Sequence, residues 1–224
     1  MVRIVRAMQG WGVTNSGFER WRDVPVAIAV DLNLDPGQID PAIRPLMPPG
    51  QQPRLFGRAV TAQCAPPDFG AVLHALEIIQ PGDVLVIAAG GDAHTAMIGE
   101  ILSGHLRARR AVGLVVDGAV RDVATLAGWS DFPVFARHIT PRGPVGLTEG
   151  AVNVPVTIGG VTINPGDLIL GDDDGLIALS PASAREGFAR AEAKLALEAE
   201  WIANLTSGVS VRETFGLPDP VEGA

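Results

Sequence analysis

Residues 111–122, AVGLVVDGAVRD, constrain this chain more than any other stretch. Val112, Leu114, Val115 and Val116 are aliphatic and mostly β-branched, the composition of a strand inside a sheet, and Gly118 is expected to end it. The strand runs straight into a charged pair, Arg121-Asp122. Two readings of that pair stand side by side. Asp122 caps a short helix while Arg121 makes a salt bridge, or both are working groups at the carboxyl end of a sheet strand, where open α/β sheets place their ligands. Arg offers a planar fork for a carboxylate or polarised carbonyl, and Asp offers hard oxygen for Mg²⁺ or Mn²⁺.

Around this strand the pattern alternates. LFGRAVTAQC (55–64) reads as a strand, FGAVLHALEII (69–79) as a helix, and DVLVIAA (83–89) as a strand. The loop GGDAHT follows, then a helical AMIGEILSGHLRARR, a short helix from Asp122 and a strand FPVFARHI (132–139). Alternation of this kind predicts an α/β fold with a largely parallel sheet flanked by helices. The later third is β-rich, with Gly159-Gly160 as a hairpin turn. QPGDVLVIAAGGD and NPGDLILGDDDG share a Pro-Gly-Asp turn, read as one turn solution used twice. Residues 1–54 are loop-rich and 181–207 form a long helix, so 1–224 is expected to be a single domain.

The bulk numbers remove several function classes. A net charge of −8 argues against a nucleic-acid binder. The lone Cys64 cannot form an internal disulfide, which points to a reducing, cytoplasmic location. No apolar run reaches the length of a membrane span, and MVRIVRAMQGWG lacks a signal-peptide core. A hydrophobic content of 47% and a mean hydropathy of +0.26 imply surface buried between subunits.

Other candidate groups are weaker. Gly90 and Gly91, read as preceding a helix, would let backbone N–H groups hold an anion, but the stretch is neither a dinucleotide fingerprint nor a P-loop. Glu100 lies near a helix start, where the dipole favours a carboxylate with or without a task. GDDDG (171–175) reads as a turn, because three adjacent carboxylates on a tight turn cannot all face one ion. His74, His94, His105 and His138 show no zinc pairing. No nucleophile elbow surrounds any Ser or Cys. In the final helix, at about 100° per residue, Phe188, Leu195, Ala199, Ile202 and Leu205 form an apolar stripe that includes Glu198. Glu198 then either serves a cleft or metal, or snorkels from the stripe's edge beside Lys194.

In combination, GRAVTAQC, HALEIIQPGDVLVI, GGDAHTAMIGEILSGHL, AVGLVVDGAVRDVATL, FPVFARHITPRGPVG and PGDLILGDDDG resemble the divalent-metal-dependent 4-hydroxy-4-methyl-2-oxoglutarate aldolases and the related regulator-of-ribonuclease-activity-A-like proteins. The family's site motif is an acidic residue, twenty residues, then Arg-Asp. Here Glu100 is followed by 101–120 and Arg121-Asp122, with Glu where characterised aldolases have Asp. The resemblance implies a β/β/α-type domain with a mixed sheet or barrel core, assembled as a trimer or dimer of trimers. It implies Mg²⁺ or Mn²⁺ held by Asp122, with Glu100 on metal-bound water and Glu198 reaching a neighbouring subunit's site. Arg121 would grip the keto or enolate oxygen, and the helix start at Gly99, Ile101 and Leu102 would take the pyruvate carboxylate. The implied activity is a class II pyruvate aldolase, a carbon-carbon lyase cleaving a 4-hydroxy-2-oxo acid, with oxaloacetate decarboxylation as a side activity. Arg142 and His94 are further, weaker candidates for substrate contact. The alternative is a non-catalytic, protein-binding regulator on the same scaffold.

Overall fold

The structure is a computed structural model and describes residues 1–5 and 18–221; the opening MVRIVRAMQGWG stretch from residue 6 onward lies outside the described residues. The elements in chain order are β1 (Arg3–Ile4), a 3-10 helix (Glu19–Asp23), α1 (Val26–Asp31), β2 (Pro36–Gln38), β3 (Arg44–Pro45), β4 (Leu55–Gln63) and α2 (Gly70–Ile78). They continue with β5 (Asp83–Ile98), α3 (Glu100–Ala108), β6 (Gly113–Val120), α4 (Val123–Leu126) and β7 (Val134–Ile139). The last third holds β8 (Ala151–Val152), β9 (Val156–Ile158), β10 (Val161–Ile163), β11 (Leu168–Asp172), β12 (Gly175–Leu179), α5 (Pro181–Thr206) and α6 (Val211–Phe215).

The large sheet runs β2-β12-β11-β4-β5-β6-β7-β3, with β8 and β1 attached beside β4. Its centre, β4-β5-β6-β7, is parallel, and β11, β12, β2 and β3 extend it antiparallel. The path is open, closing on two short edge strands rather than into a barrel. All eight residues of β6 are buried, which is why its apolar residues fall at both parities.

Leu114, Val116 and Val120 face a cluster with Val72, Leu76 and Leu106 from α2 and α3. Phe56, Leu168 and Leu170 carry the same helical layer sideways, under α1, α5 and the 3-10 helix, where Trp21 donates Nε1–H to the Ala184 carbonyl at 2.8 Å. On the other face Val115, Phe135 and Ile169 meet the hairpin β9–β10. Its turn is Gly159-Gly160, both at positive φ as expected. Hairpin, sheet and helices make three layers, the expected β/β/α arrangement.

Two expectations need correction. The chain does not turn into a helix after GGDAHT; β5 continues to Ile98, through register shifts against β6 between Ala88 and Ile98. Gly90 and Gly91 take positive φ within these irregularities, so neither stands at a helix start and neither supplies anion-binding N–H groups there. Gly118 does not end β6; it lets β5 approach, since a Cβ there would lie 2.8 Å from that of Ala89.

The repeated Pro-Gly-Asp segments are the same turn. Gly82 and Gly166 take φ of +87° and +91° after Pro, as type II geometry requires. Asp83 and Asp167 each donate N–H to the carbonyl of Gln80 or Asn164 and accept that residue's N–H on Oδ2, at 2.9 and 2.7 Å. Burial raises both carboxyls, against those same hydrogen bonds and, for Asp83, against Arg58.

No helix among the described residues is long and apolar enough to cross a membrane. For Asp167 the folded state holds its proton more tightly than the unfolded chain does. This group therefore costs stability as pH rises from the ordinary aspartate value, about 3.9, through its raised one. Asp167→Asn removes that cost, so urea unfolding should show the variant gaining on the parent as pH rises above about 4.

Candidate active site at the ends of three parallel strands

β5, β6 and β7 end at one level. Ile98, Val120 and Ile139 are in register, Arg121 donates N–H to the Ile98 carbonyl at 3.2 Å, and Thr140 donates to that of Val120 at 3.1 Å. From this edge the chain leaves β5 through Gly99 into α3, β6 through Arg121-Asp122 into α4, and β7 into the loop 140–150. The candidate groups thus gather at the carboxyl edge of a parallel sheet.

Asp122 takes the left-handed conformation, φ +58° and ψ +35°, which Asp tolerates better than most residues. It occupies the N-cap position of α4 without capping it. Its Oδ2 instead accepts the N–H of Glu100, the first residue of α3, at 3.0 Å, and lies 3.6 Å from Arg121 Nε. The helix-cap reading therefore holds for the wrong helix. Asp122 crosses to α3, and its ion pair with Arg121 leaves both side chains about two-fifths exposed (40% and 41%).

Gly99 makes this approach possible. Its φ of −148° is ordinary, but a Cβ would collide with Asp122 Oδ2 and sit 2.7 Å from Arg121 Cγ. Glu100 is exposed, and its Oε2 accepts from the Thr125 hydroxyl at 3.3 Å, which ties α3 to α4. Ile101 and Leu102 are the second and third residues of α3, whose N–H groups have no acceptor within a helix. Two carboxylates, a guanidinium and a helix N-terminus thus share one ledge, and the positive end of the α3 dipole offsets the repulsion between Asp122 and Glu100.

Glu198 does not join them within one chain. It lies 3.5 Å from Lys194 Nζ, which also pairs with Asp31, as the stripe-edge reading expects. Among the described residues no three His, Cys, Asp or Glu side chains cluster as a metal site, GDDDG included. Asp172 of that turn accepts the N–H of Val26 and of Asp174. His94 and Arg142 are both exposed, Arg142 in the loop beside Arg121.

Sequence reasoning missed that loop's contribution. Gly143 packs against the Arg121 guanidinium so closely that a Cβ would collide with Nη1. The Arg-Gly-Pro run at 142–144 signals a turn but carries no sign of its distant partner.

Comparison with known proteins places the chain in a family. The chain belongs to the RraA-like family (Aldolase/RraA), whose model matches residues 26–178. It is 34% identical over 177 residues, covering 79% of this chain and 82% of the relative, to a Halalkalibacterium halodurans protein named "Putative 4-hydroxy-4-methyl-2-oxoglutarate aldolase". Among solved structures, it resembles an uncharacterized protein from Pseudomonas syringae pv. tomato str. DC3000, with a TM-score of 0.80 and 26% identity over 95% of this chain and 99% of that one. It also resembles the RNA-processing inhibitor RraA from Thermus thermophilis, with a TM-score of 0.63 and 28% identity over 70% and 93% of the two chains.

The Gly99 contact can be tested against a glycine that lacks it. Gly99→Ala should cost about 1–3 kcal/mol in urea unfolding by forcing Asp122 off α3. Gly104→Ala, inside α3 with only a 3.9 Å contact to Trp129, should instead stabilise by about 0.5–1 kcal/mol.

Proposed function

We propose that this protein is a divalent-metal-dependent lyase that cleaves a 4-hydroxy-2-oxo acid, such as 4-hydroxy-4-methyl-2-oxoglutarate, to pyruvate and a second oxo acid. Oxaloacetate decarboxylation follows from the same chemistry. The observation that carries the reading is the convergence of the Arg121 guanidinium, the α3 N-terminus and the Asp122 carboxylate on one exposed ledge. In the retro-aldol direction the C3–C4 bond breaks, its electron pair passes into the 2-oxo group, and the 4-hydroxyl gives its proton to water. The resulting pyruvate enolate takes a proton at C3. Arg121 donates hydrogen bonds to the oxygen where this charge develops, and the free N–H groups of Ile101 and Leu102 receive the carboxylate.

The donor set suits Mg²⁺ or Mn²⁺. Asp122 and Glu100 supply hard oxygens, and one or two carboxylates with substrate and water are what such ions accept. Asp122 would hold the ion and Glu100 its water; when bound, the ion supplies Lewis-acid stabilisation of the enolate charge.

The active form is a homo-oligomer, a trimer or dimer of trimers, in the reducing cytoplasm suggested by the lone Cys64. Ile101 on the site's rim is 79% exposed, as is much of Ile139 and Val145. The far half of α5 with α6 leaves Ile202 (66%), Leu205 and Phe215 uncovered. Apolar surface on that scale calls for a partner, and a second copy laying its tail beside the ledge would bring Glu198 toward Asp122. The second reading, a protein-binding regulator without catalysis, is favoured by one observation: Glu198 is ion-paired with Lys194 in its own chain.

Pyruvate release from 4-hydroxy-4-methyl-2-oxoglutarate and oxaloacetate, with Mg²⁺ or Mn²⁺ and then with EDTA, decides between the readings. Metal-dependent turnover is expected, and Arg121→Ala should lower kcat by about 10²–10³, the usual loss for an oxyanion donor. No pyruvate from well-folded, metal-supplied protein would sink the lyase reading. In sedimentation analysis, Ile202→Glu should shift the oligomer toward monomer.

A further inference from the structure

The loop 140–150 is held at two ends of its course. Near β7, the Arg142 carbonyl accepts from Ala96 N–H at 2.8 Å. Further along it is fastened to residues 67–70, the entry to α2. Val145 donates N–H to the Pro67 carbonyl at 2.9 Å, and Phe69 donates to that of Gly146 at 3.3 Å. At the centre of this seam lies Asp68, with 8% of its surface exposed. Its Oδ1 accepts the Gly70 N–H at 2.8 Å and its Oδ2 accepts the Thr148 N–H at 2.9 Å.

The packing leaves no slack. Gly146 takes φ +96°, and a Cβ there would sit 2.5 Å from Asp68 Oδ2; a Cβ on Gly70 would sit 2.5 Å from the Leu147 carbonyl oxygen. Between the two fastenings, Gly143 presses on the Arg121 guanidinium. A buried carboxylate with no cation in its hydrogen-bond shell among the described residues needs a reason to be there. Burial pulls its carboxyl up, but the N–H groups of Thr148, Gly70 and Glu149 outweigh this and hold it below the ordinary aspartate value.

We propose that Asp68 is a positioning residue, whose carboxylate clips the 142–148 loop to the head of α2 so that Gly143 fixes the direction of the Arg121 guanidinium. The clip's effect on catalysis rests on the reading of Arg121 as the enolate-stabilising group; its effect on Arg121 geometry does not.

Two variants attack the contact from opposite ends. Asp68→Asn turns an amide NH₂ or a single acceptor toward these N–H donors and opens the clip, whereas Gly143→Ala leaves the clip and displaces the guanidinium directly. The Arg121 Nε–H resonance, assigned by its loss in Arg121→Lys, reports the geometry without any turnover. Both variants should shift or broaden it, and only Asp68→Asn should speed amide exchange at Val145 and Thr148. In pyruvate release both should lower kcat and kcat/KM together, by up to about 100-fold for a misplacement of an ångström. If Asp68→Asn frees the loop amides while the Arg121 resonance stays as in the parent, the clip is structural only and the proposal falls. A moved resonance with undiminished kcat overturns its catalytic part. Should the parent itself release no pyruvate, the lyase reading fails, and the clip is judged on the resonance alone.

Discussion

The hydrogen-bonded register of β5, β6 and β7 at their carboxyl ends is the constraint on which the rest of this molecule depends. β6 is buried along its whole length, so it cannot slide without moving a full set of valines and leucines off two packed faces. Because Ile98, Val120 and Ile139 stop at one level, the three segments that follow must begin side by side. The proximity of Gly99, Arg121 and the 140–150 loop is thus inherited from the core. Groups mounted on strand ends gain a precision that loops alone do not provide.

The charges on this ledge are arranged to tolerate one another. Asp122 receives a backbone N–H from α3 and the flank of Arg121, while Glu100 is steadied by Thr125. Each contact uses one oxygen of its carboxylate. Partly exposed carboxylates that are oriented but not saturated remain available to a hard cation, in contrast to Asp167 and Asp68, which are buried and committed to backbone N–H groups. That difference in environment separates acids held by backbone N–H groups from acids with oxygens to spare.

Much of this was legible in the sequence where the signal is local. The apolar run at 112–116, the Pro-Gly-Asp turns, the Gly159-Gly160 hairpin and the final helix follow from residue chemistry within a few positions. The Glu100-to-Arg121-Asp122 spacing survives as a spatial cluster because a helix and a strand span the twenty residues between. What stayed hidden depends on tertiary contact. The extension of β5 through Gly90-Gly91 is a sheet overriding a local stop signal, since β5 bulges out its extra residues against an uninterrupted β6. The partnership of Asp68 with Thr148, eighty residues away, has no local signature. Nor could an amphipathic stripe tell whether its apolar side meets its own chain: Ala184, Gly187 and Ala191 do, and Ile202 does not.

That last division has a consequence for how the chain gains its stability. At 26 residues, α5 is about 39 Å long, yet its buried residues all fall in its first half. The near half is paid for by the core beneath it. Beyond Lys194, which pairs with Asp31, and Leu195, which still touches the core, the far half packs on α6 through the tilted Trp201 and Phe215 rings, 4.9 Å apart. An isolated stretch of helix that short is marginal in water. In the proposed oligomer its order depends on the copy that covers it, so dilution would loosen the tail while the sheet remains intact.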